Sequence, residues 1–165
     1  MMNLKTLSEK RYGTVPNALV AAVLAVGLIG FVNATFLTVK KFLGSPLTCY
    51  FFGGCDAVNA SSYSYLFGLP LSLYGSVFYL LVVIAAALYL DKKLAVAIKA
   101  LMILASMGFA LSIYFLFLQQ FVIKAYCFYC VVSAVSSTIN FIIMLVIWKK
   151  YFSRPSSVAT ETELR

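Results

Sequence analysis

The chain contains four cysteines, which form two pairs at short spacings, Cys49-x5-Cys55 and Cys127-x2-Cys130. Two thiols this close in sequence can form a disulfide, and a dithiol can reduce a disulfide by thiol–disulfide exchange. A Cys-x-x-Cys pair at the start of a helix favours this chemistry, because the helix dipole and the free N–H groups there lower the thiol pKa. The chain has no histidine and five acidic residues, so cysteine is its main source of chemistry.

Two other uses of four cysteines stay open from the spacing alone. Structural disulfides across five or two intervening residues would close very small loops and add little stabilisation through chain entropy. Zinc sites commonly use cysteine pairs with two to four intervening residues, and only Cys127 and Cys130 have that spacing here. The spacing therefore favours a redox relay over structural disulfides, and both of these over a metal site.

Both cysteine pairs lie at or beside the edges of long apolar segments. Hydrophobic residues make up 63% of the 165-residue chain and charged residues 11%, with a mean hydropathy of +0.98. A spanning helix needs about 20 apolar residues, and four segments approach or exceed this length, at about 16–39, 69–90, 94–118 and 127–148. The sequence therefore predicts an all-α integral membrane protein, a bundle of four transmembrane helices.

The net charge of +8 comes from thirteen Lys and Arg residues against five Asp and Glu residues. The basic residues lie at the ends of the apolar segments, whereas a nucleic-acid-binding protein gathers them on one face. With a cytoplasmic N-terminus, three of the thirteen fall outside the cytoplasm, namely Lys40, Lys41 and Lys124. The positive-inside rule therefore predicts two cytoplasmic termini and puts both cysteine pairs on the extracytoplasmic side.

The predicted topology divides the chain into three parts. We expect a cytoplasmic N-terminal segment at 1–15, a four-helix membrane redox domain at 16–150 and a disordered cytoplasmic tail at 151–165. The first apolar segment is longer than the roughly 7–15 residues of a signal peptide, so we expect it to remain as a helix. Polar and aromatic residues mix at 55–66, which predicts a short interfacial helix in the extracytoplasmic loop between the first two spans.

Several residues outside the cysteine pairs also carry predictions. Gly53 and Gly54 are expected to give the backbone freedom between the loop cysteines. Asn33 and Asn140 lie within spans, where their amides should face the bundle interior or a polar cavity. Candidate walls of an apolar cofactor pocket on the third span are Phe109, Leu111, Tyr114 and Phe115.

A series of motifs surrounds the cysteines. They are, in order, Cys49-x5-Cys55, Asp56-x-Val58, Ser61, Tyr63, Phe67-Gly68-Leu69-Pro70-Leu71-Ser72, Gly75, Tyr79 and Tyr126-Cys127-x-x-Cys130. Over about residues 10 to 150 this pattern resembles the bacterial vitamin K epoxide reductase family. Its members are four-helix membrane bundles that oxidise a thioredoxin-like protein outside the cytoplasm and reduce a quinone. The resemblance therefore implies a membrane thiol–quinone oxidoreductase that forms disulfide bonds.

The resemblance also implies roles for individual residues. Cys49 and Cys55 match the loop cysteines that take electrons from the partner, and Cys127 and Cys130 match the active-site pair. Cys130 would face the quinone, either ubiquinone or menaquinone, and Ser61 would offer its hydroxyl to a quinone carbonyl oxygen. The family pattern assigns the partner to Cys49 and the contact with Cys127 to Cys55, a division that the sequence itself leaves open.

The chain departs from parts of the family. Many bacterial members carry a fused thioredoxin-like domain after the fourth span. We expect none here, so the resemblance implies a separate thioredoxin-like partner at a bacterial cell membrane. Another four-helix family of disulfide-forming quinone reductases has Cys-x-x-Cys in its first outer loop, the reverse of the order here. A non-enzymatic membrane subunit or transporter with structural disulfides is the alternative from a different class.

Overall fold

The computed structural model describes residues 15–45 and 53–152. Within these ranges four helices are long and apolar enough to cross a membrane. They confirm the predicted all-α bundle. With a short helix after the first of them, the helices in chain order are α1 (Asn17–Phe42), α2 (Cys55–Ala60), α3 (Leu71–Lys92), α4 (Ala95–Phe117) and α5 (Phe128–Ile147). Most of the predicted tail and of the predicted N-terminal segment lies outside the described residues. The first two residues of the predicted tail, Tyr151 and Phe152, instead end a π-helical turn, Trp148–Phe152.

The third span ends later than the sequence predicts. After α4 the helix continues through a π-helical turn, Leu118–Ile123, whereas the predicted span stops at residue 118. The polar Gln119 is typical of a connecting loop, yet only 3% of its surface is exposed. Its amide is bonded within the chain, and this lets a polar residue remain in the helix. The helical stretch ends at Lys124, which has a left-handed conformation (φ 54°).

The bundle has one packed end and one hollow end. At the packed end, buried apolar side chains from all four long helices form one cluster. Its most deeply buried members, none more than 1% exposed, are Val20, Val23, Ala86, Tyr89, Ile98, Leu101 and Ile147. At the other end the helices enclose a cavity. Of the site residues predicted from the sequence, Ser61, Cys127 and Cys130 line this cavity.

A small cap, residues 53–70, covers the hollow end. It consists of α2, a 3-10 turn (Ser62–Ser64) and an antiparallel pair of two-residue strands, β1 (Tyr65–Leu66) and β2 (Leu69–Pro70). The predicted helix over 55–66 is therefore right at its start and wrong beyond Ala60. The two residues that join the strands both have positive φ, which suits a tight two-residue hairpin turn.

Lys41 attaches the cap to the end of α1. Its ammonium group donates hydrogen bonds to the Asn59 carbonyl oxygen and to the Ser64 hydroxyl. The same group lies 4.1 Å from the centre of the Tyr65 ring, a cation–π contact. One side chain of α1 thus contacts the C-terminal half of α2, the 3-10 turn and β1.

Candidate active site

Three of the four cysteines lie in the described part of the chain, and they come together beneath the cap. Cys55 begins α2 and is completely buried, and Cys127 immediately precedes α5 and is 1% exposed. Both belong to one cluster with Leu37, and Cys130 in the first turn of α5 packs against it. Cys49 lies outside the described residues, so its place at the site stays a prediction.

The three cysteines are in two different redox states. Cys55 is disulfide-bonded, whereas Cys127 and Cys130 are free thiols. A dithiol beside a disulfide is the arrangement that thiol–disulfide exchange requires. In the described ranges no group of three or more His, Cys, Asp and Glu residues is placed to hold a metal ion.

Gly54 allows the cap to approach the segment before α5. A Cβ atom at Gly54 would lie 2.9 Å from the Ala125 Cβ and 2.9 Å from both the backbone nitrogen and oxygen of Tyr126. The φ of Gly54 is −99°, a value that other residues also adopt. Gly54 therefore provides space at a close backbone contact, and the predicted backbone freedom between the loop cysteines stays a prediction. Gly53 beside it has open space.

Gln119 holds the backbone that carries Cys127. The Cys127 N–H donates to the Gln119 side-chain oxygen at 2.9 Å, and the Ala125 N–H donates to the Gln119 carbonyl at 3.2 Å. Both bonds lie between the π-helical turn and the start of α5, so they fix the connection that presents Cys127. Sequence reasoning missed Gln119, because a glutamine after an apolar segment has the pattern of an ordinary loop residue.

The Cys127 thiol is more acidic than an ordinary cysteine. A hydrogen bond from the Cys130 thiol is the main cause that lowers the pKa of Cys127 to about 7. Burial opposes this shift, and backbone hydrogen bonds from Cys130 and Tyr129 support it. Near neutral pH Cys127 is therefore a thiolate, the nucleophilic form of cysteine, in about half of the molecules.

The hollow end contains a cavity of about 380 Å³, and both Cys127 and Cys130 lie on its wall. Its lining comes from all four long helices and from the cap and is mostly apolar. Of the walls predicted on the third span, Leu111 and Phe115 line the cavity. Phe109 instead stacks on Phe141 with ring centres 4.4 Å apart.

Tyr114, the fourth predicted wall, is 53% exposed and does not line the cavity. Three polar side chains singled out from the sequence lie at or near it. Ser61 lines it and donates to the Val58 carbonyl at 2.7 Å. Asn33 also lines it and donates to the Tyr129 carbonyl at 2.8 Å. Asn140 is buried deeper, beside a separate small cavity.

The cavity has the size and the lining of a small-molecule site. Small-molecule sites are typically concave, about 300–1,000 Å³ in volume, and apolar with a few polar groups that orient the ligand. The cavity has this character, and Ser61, Cys127 and Cys130 are all on its wall. A lipid-soluble oxidant that enters between the helices would meet a dithiol there.

Together the fold and the site define a class of protein: a four-helix membrane oxidoreductase whose thiols line an apolar cavity beneath a disulfide-bearing cap. The chain belongs to the vitamin K epoxide reductase family, whose model matches residues 21–145. A search of curated proteins finds no match to the chain. The family match confirms the resemblance read from the motifs. It also supports oxidoreductase chemistry of the thiol–quinone kind.

Proposed function

We propose that the protein oxidises a separate thioredoxin-like partner outside the cytoplasm and passes the electrons through its cysteines to a membrane quinone. One observation carries the proposal: the disulfide-bonded Cys55 and the free thiols of Cys127 and Cys130 pack in one cluster, beside an apolar cavity. The partner thereby gains a disulfide bond. The predicted topology puts this site on the extracytoplasmic side and both termini in the cytoplasm.

The first step moves two electrons from the partner to the loop cysteines. One thiolate of the reduced partner attacks Cys49 in a Cys49–Cys55 disulfide, and Cys55 leaves as a thiolate. The second partner thiolate then attacks the mixed disulfide and releases Cys49. The partner ends with a disulfide and the loop pair ends reduced, with the two thiol protons passing to the loop cysteines.

The second step moves the same two electrons to the active-site pair. The Cys55 thiolate attacks Cys127 in a Cys127–Cys130 disulfide and displaces Cys130. Cys49 then attacks Cys55 and displaces Cys127, which re-forms the loop disulfide. The low pKa of Cys127 makes it a good leaving group in this exchange. The product has a disulfide at Cys55 and free thiols at Cys127 and Cys130, the state found in the structure.

The last step oxidises the active-site pair. Cys127 and Cys130 give two electrons and two protons to a quinone, which departs as the quinol while the Cys127–Cys130 disulfide forms. The cavity wall holds the ring beside Cys130 and excludes water. Ser61 lies within the same cavity, and its hydroxyl would donate to a quinone carbonyl oxygen by giving up its bond to the Val58 carbonyl.

A quinone-reduction assay with the Cys130→Ser variant tests this assignment. Purified protein in detergent would be mixed with a reduced thioredoxin-like protein, and quinone absorbance would be followed with ubiquinone and with menaquinone. The variant should lose quinone reduction, because Cys130 can no longer close the active-site disulfide. A mixed disulfide between partner and loop cysteines should remain detectable on a non-reducing gel. Wild-type rates of quinone reduction in the variant would refute the proposal.

Redox titration separates this function from a non-enzymatic subunit with structural disulfides. Structural disulfides typically have potentials below about −300 mV, and catalytic pairs are more oxidising. The free thiols of Cys127 and Cys130 already favour the catalytic alternative, since a structural pair is expected to be closed.

A further inference from the structure

Ser137 carries a buried hydroxyl that lacks a hydrogen-bond partner among the described residues. It is 3% exposed and lines the cavity from α5. Hydroxyl groups inside helices usually donate to the carbonyl oxygen four residues earlier. Five others in this bundle do so, at Thr38, Ser76, Ser106, Ser112 and Thr138.

Two neighbours explain why Ser137 differs. The carbonyl four residues earlier belongs to Ser133, and it accepts a hydrogen bond from the Tyr79 hydroxyl at 2.7 Å. On α4, a Cβ atom at Gly108 would lie 2.8 Å from the Ser137 hydroxyl oxygen. The end of the Phe78 ring lies even closer to this Cβ position, at 2.5 Å. Gly108, Phe78 and Ser137 all line the cavity, so a ligand reaches this hydroxyl by displacing the Phe78 ring. Because an unpaired buried hydroxyl is costly, its partner is expected to come from outside the chain.

Ser137 and Cys130 lie on the same face of α5. Residues three, four and seven apart share one side of a helix, and Cys130, Ser133 and Ser137 all line the cavity. Seven residues of helix rise about 10.5 Å. A ligand between the two residues needs about 3.5 Å for the approach of the Cys130 sulfur to a ring carbon and about 2.8 Å for a hydrogen bond to Ser137. Subtracting both from the helix rise leaves about 4 Å for the ligand itself. That length fits a six-membered ring with its far carbonyl bond.

We propose that Ser137 donates a hydrogen bond to the quinone carbonyl oxygen that lies farther from Cys130. The inference rests on the proposed quinone reduction and adds a substrate contact on the α5 wall of the cavity. The bond already forms with the bound oxidised quinone, so its loss weakens quinone binding. The spacing selects a para-quinone, whose two carbonyls lie on opposite sides of the ring. In an ortho-quinone both carbonyls lie on the same edge of the ring. When that edge faces Cys130, no carbonyl oxygen is left to accept a hydrogen bond from Ser137.

The test replaces Ser137 by alanine in the full-length protein. With a short-chain para-quinone, Ser137→Ala should raise the KM for quinone roughly three- to tenfold, the range expected for one neutral hydrogen bond. With an ortho-quinone of matching substitution the change should be under about twofold. In infrared difference spectra, a carbonyl stretching band of the bound para-quinone should move to higher frequency in the variant. Ser137→Thr, which keeps the hydroxyl, should restore the wild-type band.

Ser136→Ala is the matched control. Ser136 is the neighbouring residue, it is buried, and it does not line the cavity. This variant should leave both the KM and the carbonyl band unchanged. The reactivity of the Cys127 thiol, measured by alkylation, should match the wild type in every variant and so show that the cysteine site is intact.

The outcomes distinguish the inference from the proposed function. If the wild type reduces quinone and Ser137→Ala leaves the KM and the carbonyl band unchanged, the inference is overturned while the proposed function stands. That result would point to a water between Ser137 and Asn140, since the Asn140 side-chain oxygen is also unpartnered in the described structure and both residues line a small cavity of about 10 Å³. If the wild type reduces no quinone, the proposed function itself fails.

Discussion

Replacing Gly54 by alanine should slow electron transfer from the cap to the active-site pair. The new Cβ would lie 2.9 Å from two backbone atoms of Tyr126 and from the Ala125 Cβ. These atoms belong to the short connection that Gln119 holds in place. They cannot move out of contact by a rotamer change, as the end of a flexible side chain can. The cap must therefore move away from the segment that presents Cys127.

The size of the effect follows from the contact distances. Ordinary van der Waals contacts of a Cβ begin at 3.4 Å, so the cap must shift by at least about 0.5 Å, and such overpacking costs about 1–3 kcal/mol. Displacements of about 1 Å at reacting groups can cost about 100-fold in rate. We therefore expect partner-driven quinone reduction to fall roughly 10- to 100-fold.

The assay compares two electron donors. In the proposed route a reduced thioredoxin-like protein passes its electrons through the loop cysteines. A small dithiol that enters the cavity would instead reduce the Cys127–Cys130 disulfide directly. Gly54→Ala should slow the first reaction and leave the second unchanged. Gly53→Ala is the control, because a Cβ there has nothing within 4 Å. Equal partner-driven rates in both variants would refute the view that the close contact at Gly54 sets the exchange rate.

Two further predictions concern Cys127. Its thiolate fraction grows as pH rises through about 7, so alkylation of the reduced protein should speed up about tenfold from about pH 6 to about pH 8. Cys130→Ala removes the main hydrogen bond and should move this midpoint upward; a midpoint still near 7 would contradict the role of the Cys130 thiol as its cause. Gln119→Leu should lower the free energy of unfolding by about 1–3 kcal/mol by leaving the buried Cys127 N–H unpaired. Exposed Gln120→Leu should cost little, and equal melting temperatures for the two variants would count against the role of Gln119.

The four spans were predictable because the signal is spread over many residues. About 20 apolar residues in a row leave few alternatives to a spanning helix, and single exceptions do not remove that pattern. The cysteine spacing and the surrounding motifs likewise identified the family. Cys127 and Cys130 then appear together on the cavity wall, with Ser61 in the same cavity.

The missed features depend on contacts between distant segments. Gly54 looks like a flexible turn residue in the sequence, and only the position of Tyr126 reveals that its space is occupied. Gln119 resembles a loop residue until its bond to Cys127 is seen. Ser137 is an ordinary helix serine by pattern, and its unusual state arises from Tyr79 on another helix.

The division of the bundle into a packed end and a hollow end has a consequence for handling the protein. The packed end draws its stability from the apolar cluster of the chain itself, whereas the hollow end encloses space that a ligand would fill. A ligand that binds the folded state at about 100 times its Kd adds about 2.7 kcal/mol of stability. Delipidated samples should therefore open first at the cap, with faster amide hydrogen exchange there than around Ile98. Added quinone should slow exchange at the cap while leaving the packed end unchanged.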